Sequence, residues 1–292
     1  NSGYHANTGI LPAVTTSRSM ILADKLVHAS IIDGCRISRC KVVVYKHNDM
    51  ADLQRLLETE IVTGQRFIVT DGVFSMDGDI ADLPSLAVLK KQFNACLIVD
   101  DAHGVGVIGN DGSGTASHYG LTDVIDLQVG TLSKALAAEG GYVAGKKILI
   151  DYLINRSRPF IFSTALAPAT LAAANAALLL LQTQASKYLD SLRANSRLMR
   201  RLLLEGGLNV VEGITPIIPV VIGEAGLTMQ FADRLKSKGI LVSGIRPPTV
   251  PRGESRLRIT VTAAHCEEQL RQAAQIITAL WQELKHGEKK EG

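Results

Sequence analysis

Short apolar, β-branched runs alternate along the first half of the chain with longer stretches in which apolar residues recur every three or four positions. The apolar runs predict strands and the periodic stretches predict helices. In chain order they are MILA, LVHASIIDG, KVVVYK, DMADLQRLLETEI, RFIVTDG, LPSLAVLKKQF, ACLIVDDA and DLQVGTLSK. This alternation predicts βαβ units and a mostly parallel sheet covered by helices, with ligands bound at the carboxyl ends of the strands.

The second half of the chain has a different pattern. Residues 164–205 are rich in alanine and leucine and predict a long helix. The runs NVVEG, IIPVVIG, ILVSGI and SRLRITV follow as predicted strands, with one helix near 228–238 and a last one from 267 to about 285. This order predicts an antiparallel sheet. We therefore expect a large α/β domain, residues 1–185, and a smaller C-terminal α+β domain, residues 186–292.

Composition narrows the classes of function. The chain has 292 residues, 46% hydrophobic and 20% charged, which is typical of a globular protein with a large core. The net charge is +3 and the basic residues are scattered, so neither nucleic acid nor a membrane is an expected partner. Four cysteines without metal-site or CxxC spacing favour a reducing cytoplasm and no metal site. The HGEKKEG end, residues 286–292, is expected to be solvated.

The segment TLSKALAAEGG places Lys134 among small residues, directly after an apolar run. Small neighbours leave room for a bulky group to lie against the amine. A desolvated lysine has a lowered pKa and can form a Schiff base with a carbonyl compound. The alternative is an ordinary solvated lysine on a loop.

The segment LIVDDAHGVGVIG ends a predicted strand with Asp100, and His103 follows three residues later. A carboxylate there can keep a pyridine nitrogen protonated, and the imidazole can hydrogen-bond the phenolic oxygen of the same ring. Alternatively, Asp100 caps a turn and His103 is a satisfied core residue. The sequence GVGVIG, residues 104–109, matches a dinucleotide-binding fingerprint, but a turn-rich segment follows it, which argues against that function.

Three further segments offer polar groups near strand or helix ends. SGYHAN precedes an apolar helix, so the backbone N–H groups of Gly3 and Tyr4 can bind a phosphate, unless Ser2 only caps the helix. His28 begins a helix and can stack on a flat ring, or is simply exposed there. Ser75, in DGVFSMDGD, can reach the same cleft or can satisfy a turn.

The segment SRLRITV alternates in the manner of a strand. Arg256 and Arg258 share one face, while Leu257 and Ile259 take the other. An arginine at the mouth of an amine-binding cleft can bind a substrate carboxylate through two hydrogen bonds. On an exposed strand face, the arginine pair would need no functional explanation.

Together and in this order, the motifs resemble the pyridoxal phosphate-dependent α-oxoamine synthases of fold type I. The matching segments are SGYHAN, LVHASIIDG, FSMDGD, VDDAHGVGVIG, TLSKA with EGGY, FIFSTALAP, and GIRPPTVPRGESRLRIT with TAAH, and they reach from the first residue to about His265. The resemblance implies a mostly parallel sheet between helices and a smaller C-terminal domain. Family members usually carry a further glycine-rich N-terminal segment, so we expect that part of the family fold to be missing here.

The resemblance also implies roles for individual residues. Lys134 would hold pyridoxal 5'-phosphate as a Schiff base and later move protons at the substrate α-carbon. The other implied cofactor contacts are Asp100 to the pyridine nitrogen, His103 to the phenolic oxygen, His28 stacked on the ring, Ser75 and Thr131 by hydrogen bonds, and backbone at Gly3 and Tyr4 to the phosphate.

Substrate and subunit contacts follow from the same resemblance. Ser163 and Thr164 would reach the cofactor phosphate of a neighbouring subunit, which implies a homodimer with its active site at the interface. Arg258 would bind the amino-acid carboxylate, and Thr249 would line the substrate site. The resemblance implies no metal.

The block GIRPPTVP resembles that of the members that join L-alanine to a pimeloyl thioester in biotin biosynthesis, with coenzyme A or a carrier protein as the thiol. Other members use glycine instead. A partner subunit that keeps the fold without catalysis is the alternative from a different class.

Overall fold

The computed structural model describes residues 1–291, with side chains described through residue 285. The side chains of the HGEKKEG end, for which we expected solvation, lie outside the described residues. The chain divides into two compact units. The first comprises Asn1–Phe74 and Ile80–Ala185, and the second comprises Ser75–Asp79 and the chain from Ser186 onward. Among the described residues, no helix is both long and apolar enough to cross a membrane.

The first unit contains a six-stranded sheet with helices between its strands. In chain order its elements are α1 (Gly3–Val14), β1 (Met20–Asp24), α2 (Ala29–Ser38), β2 (Lys41–Tyr45), α3 (Met50–Thr59), β3 (Arg66–Asp71), α4 (Leu83–Gln92), β4 (Cys96–Asp100), α5 (Thr115–His118), β5 (Leu127–Thr131), β6 (Gly141–Gly145), α6 (Lys147–Arg156) and α7 (Arg158–Ile161). The strand order is β2-β1-β3-β4-β5-β6.

Five strands of this sheet are parallel, as the alternating pattern predicted, and β6 pairs antiparallel with β5. The central strands β1, β3 and β4 are almost entirely buried, because helices cover both faces. Strand β6 was not predicted, since GYVAG is short and bounded by glycines. Gly130 allows β6 to approach, because a Cβ at that position would lie 2.2 Å from Cζ of Tyr142.

Helices α1 to α4 begin where a side chain supplies an acceptor for their free N–H groups. Asp49 caps α3 by accepting from the N–H of Asp52, and Asp82 caps α4 by accepting from that of Ser85. These caps fix where each helix starts after its strand, and so fix the loops at the carboxyl edge of the sheet.

The strands β3 and β4 end at the same edge, each with an aspartate. Asp71 and Asp100 are register partners in the parallel ladder, and Thr131 ends the next strand, β5. Because neighbouring parallel strands lie about 4.8 Å apart, this register brings two carboxyl groups close together.

The long helix α8 (Pro168–Glu205) carries the chain from the first unit into the second. Its backbone is non-helical at Gln184, beside the point where the first unit ends. The helix starts four residues later than the predicted 164, since the segment before Pro168 is irregular.

The second unit contains a three-stranded antiparallel sheet. Its further elements are β7 (Ile217–Gly223), α9 (Ala225–Ser237), β8 (Ser243–Ile245), β9 (Ser255–Thr260) and α10 (Glu267–Glu291), with strand order β7-β9-β8. Leu257 and Ile259 face its core, in which Phe231 stacks on Trp281 at 5.7 Å. The predicted strand NVVEG is wrong, because only an isolated bridge between Val210 and Val220 forms there.

One correction concerns the division of the chain. A single boundary at 185/186 assigns residues 75–79 to the first domain, whereas this short loop belongs to the second unit. Side chains of β9 hold it there. Arg256 pairs with Asp77, and Nε of Arg258 donates to the carbonyl oxygen of Ser75 at 2.5 Å. Such long-range contacts have no signature in local sequence.

Candidate active site

A cavity of about 140 Å³ lies at the carboxyl edge of the sheet in the first unit. It brings together seven residues predicted from the sequence, from four separate segments: Gly3, Tyr4, His28, Asp100, His103, Thr131 and Lys134. Ser30, Asp71, Val73, Ala102 and Ser133 also line it, and none of these five was predicted.

Asp100 is held in place by two donors. Its side chain is almost fully buried, Oδ2 accepts from Nδ2 of Asn7 at 2.5 Å, and Oδ1 accepts from the N–H of Ala102 at 3.0 Å. The same Asn7 amide donates to Oγ of Ser30 at 2.9 Å. These bonds orient the carboxyl group.

Asp71 has a different environment. Burial, reinforced by the charge of Asp100, raises the pKa of Asp71 well above its ordinary value, against the lowering effect of the His28 N–H that it accepts at 3.3 Å. The protonated form of Asp71 is therefore favoured. The site thus contains two adjacent carboxyl groups with different hydrogen-bond partners.

His28 is the N-cap residue of α2, as predicted, and it is exposed. Its Nδ1 accepts from the backbone N–H of Ser30 at 3.3 Å and lies 2.8 Å from Oγ of the same residue. Since Nδ1 is the acceptor in the first bond, the proton of the neutral ring lies on Nε2. The imidazole is therefore fixed in orientation while one face remains available to a ligand.

The amino end of α1 forms another wall of the cavity. The helix begins at Gly3, and Oγ of Ser2 accepts from the N–H of His5 at 3.2 Å. The remaining N–H groups of a first turn have no carbonyl partner within the helix, and the helix dipole favours an anion there. Gly141 permits this arrangement, because a Cβ there would lie 2.4 Å from the carbonyl carbon of Ser2.

Thr131 ends β5, and Lys134 lies in the loop that follows it. Thr131 is buried, its Oγ1 donates to the carbonyl oxygen of Gly140 at 3.0 Å, and it lies 2.8 Å from Oγ of Ser133. Lys134 lines the cavity but is exposed, as are its neighbours on both sides. The predicted desolvation of its amine stays a prediction, because this exposure is that of the whole residue.

Ser163 and Thr164 lie elsewhere in the first unit. Both are exposed and line a second cavity of about 510 Å³, whose walls are mainly apolar side chains of α1, β6, α6 and α7. Nδ2 of Asn1 donates to the carbonyl oxygen of Thr164 at 2.8 Å. Ser2 lines both cavities, so they adjoin at the start of α1.

Ser75, Thr249 and Arg258 belong to the second unit. Burial lowers the pKa of Arg258, and the guanidinium also donates to Oγ1 of Thr260 at 3.1 Å. Thr249 is exposed, and its N–H donates to the carbonyl oxygen of Arg246. The structure thus joins Arg258 to the backbone of Ser75, two residues that lie 183 positions apart in the chain.

Sequence reasoning missed Asn7, Ser30 and Asp71. A signal existed for Asp71, because it ends an apolar strand as Asp100 does. Asn7 and Ser30 gave none, since a polar residue on a helix is usually solvated and only the packing of α1 against α2 buries both of them.

Comparison with known proteins agrees with the predicted resemblance. The model of the family "Aminotransferase class I and II" matches residues 1–277. The chain is 51% identical to the 8-amino-7-oxononanoate synthase of Trichlorobacter lovleyi over 285 aligned residues. The alignment covers 97% of this chain and 73% of that protein.

Two solved structures are similar as well. A structure of SPT with PLP as internal aldimine has a TM-score of 0.94 and 29% identity, over 97% of this chain and 72% of that one. The 8-amino-7-oxononanoate synthase of Francisella tularensis has a TM-score of 0.83 and 32% identity, over 98% of this chain and 81% of that one. The fold type I architecture predicted from the sequence is thereby confirmed. The chain belongs to the class I and II aminotransferase family, among its α-oxoamine synthases.

Proposed function

We propose that the chain condenses L-alanine with a pimeloyl thioester, with loss of CO₂ and release of the thiol, to give 8-amino-7-oxononanoate in biotin biosynthesis. About half of its residues are identical to those of several 8-amino-7-oxononanoate synthases over most of the chain. The observation that carries the proposal is the cavity that unites an amine, a buried carboxylate and a helix amino end.

The cavity fits pyridoxal 5'-phosphate by its donor set. The free N–H groups at Gly3 and Tyr4 suit a phosphate, the fixed Asp100 carboxylate suits a protonated ring nitrogen, and Lys134 suits the aldehyde. When bound, pyridoxal phosphate supplies an aldehyde that captures amines and a ring that accepts electrons from the α-carbon.

Lys134 has two tasks in this proposal. Its amine anchors the cofactor before the substrate arrives, and it then removes and returns the proton at the α-carbon of L-alanine. Asp100 is oriented by the donors Asn7 and Ala102, so that it would accept a hydrogen bond from the protonated ring nitrogen.

The remaining polar residues orient the bound molecules. We assign His103 to the phenolic oxygen, His28 to stacking on the ring, and Thr131 and Ser75 to hydrogen bonds with the cofactor. In the second unit, Arg258 binds the carboxylate of L-alanine and Thr249 lines the substrate site. Half-burial suits Arg258 to this task, because a less hydrated guanidinium binds a carboxylate more strongly.

The proposed enzyme is a cytoplasmic homodimer. Phe160 and Phe162 on and beside α7 are 65% and 72% exposed, and such large apolar groups favour burial against a second copy. Ser163 and Thr164 follow directly and would bind the cofactor phosphate of that copy. The biosynthetic role and the free cysteines support the cytoplasm.

The test is thiol release from pimeloyl-coenzyme A by the purified chain with pyridoxal phosphate, using L-alanine in one reaction and glycine in the other. We expect release with L-alanine only. Release with glycine only would assign the chain to a glycine-using relative. A protein that binds no pyridoxal phosphate and releases no thiol would favour the non-catalytic alternative.

The Lys134→Ala variant tests the central residue. It should abolish turnover and still bind the cofactor non-covalently. Lys147→Ala is the matched control, since Lys147 is an exposed lysine of the same unit that pairs with Asp151. Appreciable turnover by Lys134→Ala would refute the assignment.

A further inference from the structure

Asp101 follows Asp100 directly and is completely buried, yet it does not line the cavity, whereas Asp100 and Ala102 on either side of it do. Its Oδ2 accepts from the backbone N–H of Thr115 at 2.7 Å and from Nε2 of Gln128 at 2.9 Å. A buried carboxylate that does not face the ligand needs an explanation other than binding it.

The backbone of Asp101 joins neighbouring parts of the site. Its N–H donates to the carbonyl oxygen of Val129 on β5 at 2.8 Å, and its carbonyl oxygen accepts from the N–H groups of Gly104 and Val105 at 2.9 and 3.0 Å. The short turn that contains His103 is therefore closed by the bonds that Gly104 and Val105 donate to Asp101, while the N–H of Asp101 ties the start of the turn to β5.

Three glycines surround the carboxylate. A Cβ at Gly72, Gly104 or Gly114 would lie 2.5, 1.8 or 2.0 Å from one of its oxygens. Any side chain at these positions would displace the carboxylate, so three backbone segments converge on it. Gly72 follows Asp71, Gly104 follows His103, and Gly114 precedes α5.

The arrangement has an energetic cost. Burial raises the pKa of Asp101 to about 6, although the hydrogen bonds from Thr115 and Gln128 lower it. Within the described part of the chain no salt bridge to Asp101 is found. A costly buried group that ties together the backbone of a candidate site is better explained by positioning than by stability.

We propose that Asp101 is a positioning residue, which fixes the backbone segments that present Asp71, Asp100 and His103 to the cavity. Its effect on turnover rests on the proposed function, but its effect on the shape of the cavity does not. Cofactor binding can therefore test the role even if the acyl donor is different.

The experiment compares Asp101→Ala with Asp101→Asn. Alanine removes the acceptor of both hydrogen bonds, whereas asparagine keeps an acceptor oxygen and the same size. The readouts are the dissociation constant of pyridoxal phosphate, the pH midpoint of the visible absorbance of the bound cofactor, and kcat and KM for L-alanine.

For Asp101→Ala we expect a weaker cofactor complex, a shifted pH midpoint, and a kcat lower by about a hundredfold with a smaller change in KM, because small displacements of reacting groups cost this much. Asp101→Asn should restore all three readouts to within several-fold of the original chain. The absorbance midpoint reports the groups around the ring, so a purely structural role would not move it.

Asp126→Ala is the matched control. Asp126 also accepts a backbone N–H, that of Leu97, and pairs with Lys90, but at the amino end of β4. It should lose stability without a change in the absorbance midpoint. If Asp101→Ala does not fold, Gln128→Ala removes only one donor and should raise the dissociation constant by a smaller factor.

Unchanged binding and absorbance in Asp101→Ala, or in Gln128→Ala where that variant takes its place, would overturn the proposal. Equal losses in Asp101→Asn and Asp101→Ala would also overturn it, since hydrogen-bond acceptance would then not be the cause. A chain that binds pyridoxal phosphate normally but releases no thiol with any amino acid would count against the proposed function alone.

Discussion

The Asn7→Ala substitution tests whether the site is built around a fixed carboxylate. Asn7 is 2% exposed, and its amide donates to Asp100 at 2.5 Å and to Ser30 at 2.9 Å. Alanine removes both bonds and leaves Oδ2 of Asp100 without this donor in a buried place. The prediction therefore concerns both the stability of the first unit and its affinity for pyridoxal phosphate.

The magnitude follows from the two bonds. A hydrogen bond to a charged group contributes about 1.5–3 kcal/mol and one between neutral groups about 1 kcal/mol. Alanine recovers about 0.5 kcal/mol through its higher helix propensity within α1. The free energy of unfolding should thus fall by about 2–3.5 kcal/mol. The affinity for pyridoxal phosphate should fall as well, because Asp100 loses a donor that orients it.

The assay is urea unfolding of the cofactor-free chain followed by circular dichroism, together with titration by pyridoxal phosphate. Asn155→Ala is the matched control, since Asn155 lies on α6, is exposed, and donates from Nδ2 to the carbonyl oxygen of Asp151. Its stability should change by less than about 0.5 kcal/mol. The reasoning fails if Asn7→Ala behaves like this control in both measurements.

Three further substitutions probe other parts of the molecule. Gly130→Ala should destabilise the first unit by about 1–3 kcal/mol in urea unfolding, because its Cβ would overlap the Tyr142 ring; a loss below that range would contradict the close approach. Leu257→Ala should cost the second unit about 2–5 kcal/mol in the same assay, since Leu257 is fully buried in its core, and an unchanged midpoint would argue against that packing. Asp101→Asn should flatten the pH dependence of stability. The pKa of Asp101 is raised from 3.8 to about 6 in the folded chain, so the folded form binds the proton more tightly and stability falls as the pH rises between these values. The free energy of unfolding should fall by about 3 kcal/mol over this pH range. An equal pH dependence of stability in Asp101→Asn and in the original chain would refute the prediction.

The parallel sheet and the position of the site were accessible from sequence for a physical reason. Strands buried on both faces must be continuous apolar runs, so a polar residue that ends such a run marks the edge of the sheet. Asp100 was found in this way, because parallel strands bring all their carboxyl ends to one edge, whereas Thr131 was predicted from the resemblance alone. The motifs and their resemblance to a family then supplied the chemistry.

The missed features depend on contacts between segments that are distant in the chain. Asn7 reaches Asp100 across 93 positions, and Arg258 reaches Ser75 across 183. Local patterns describe how one segment folds, but not which other segment will cover it.

The distribution of charge in the cavity explains why so many of its supporting residues are polar but not themselves reactive. Three aspartates, Asp71, Asp100 and Asp101, lie buried within two adjacent strand ends, and like charges so close cannot all be ionised at little cost. The three groups differ in their hydrogen-bond partners. Burial and the charge of Asp100 favour a proton on Asp71, burial raises the pKa of Asp101 against two donors, and Asp100 accepts hydrogen bonds from Asn7 and Ala102. Because the carboxyl group that we propose for the ring nitrogen is also held by two donors, the surrounding hydrogen bonds would act on chemistry as well as on folding.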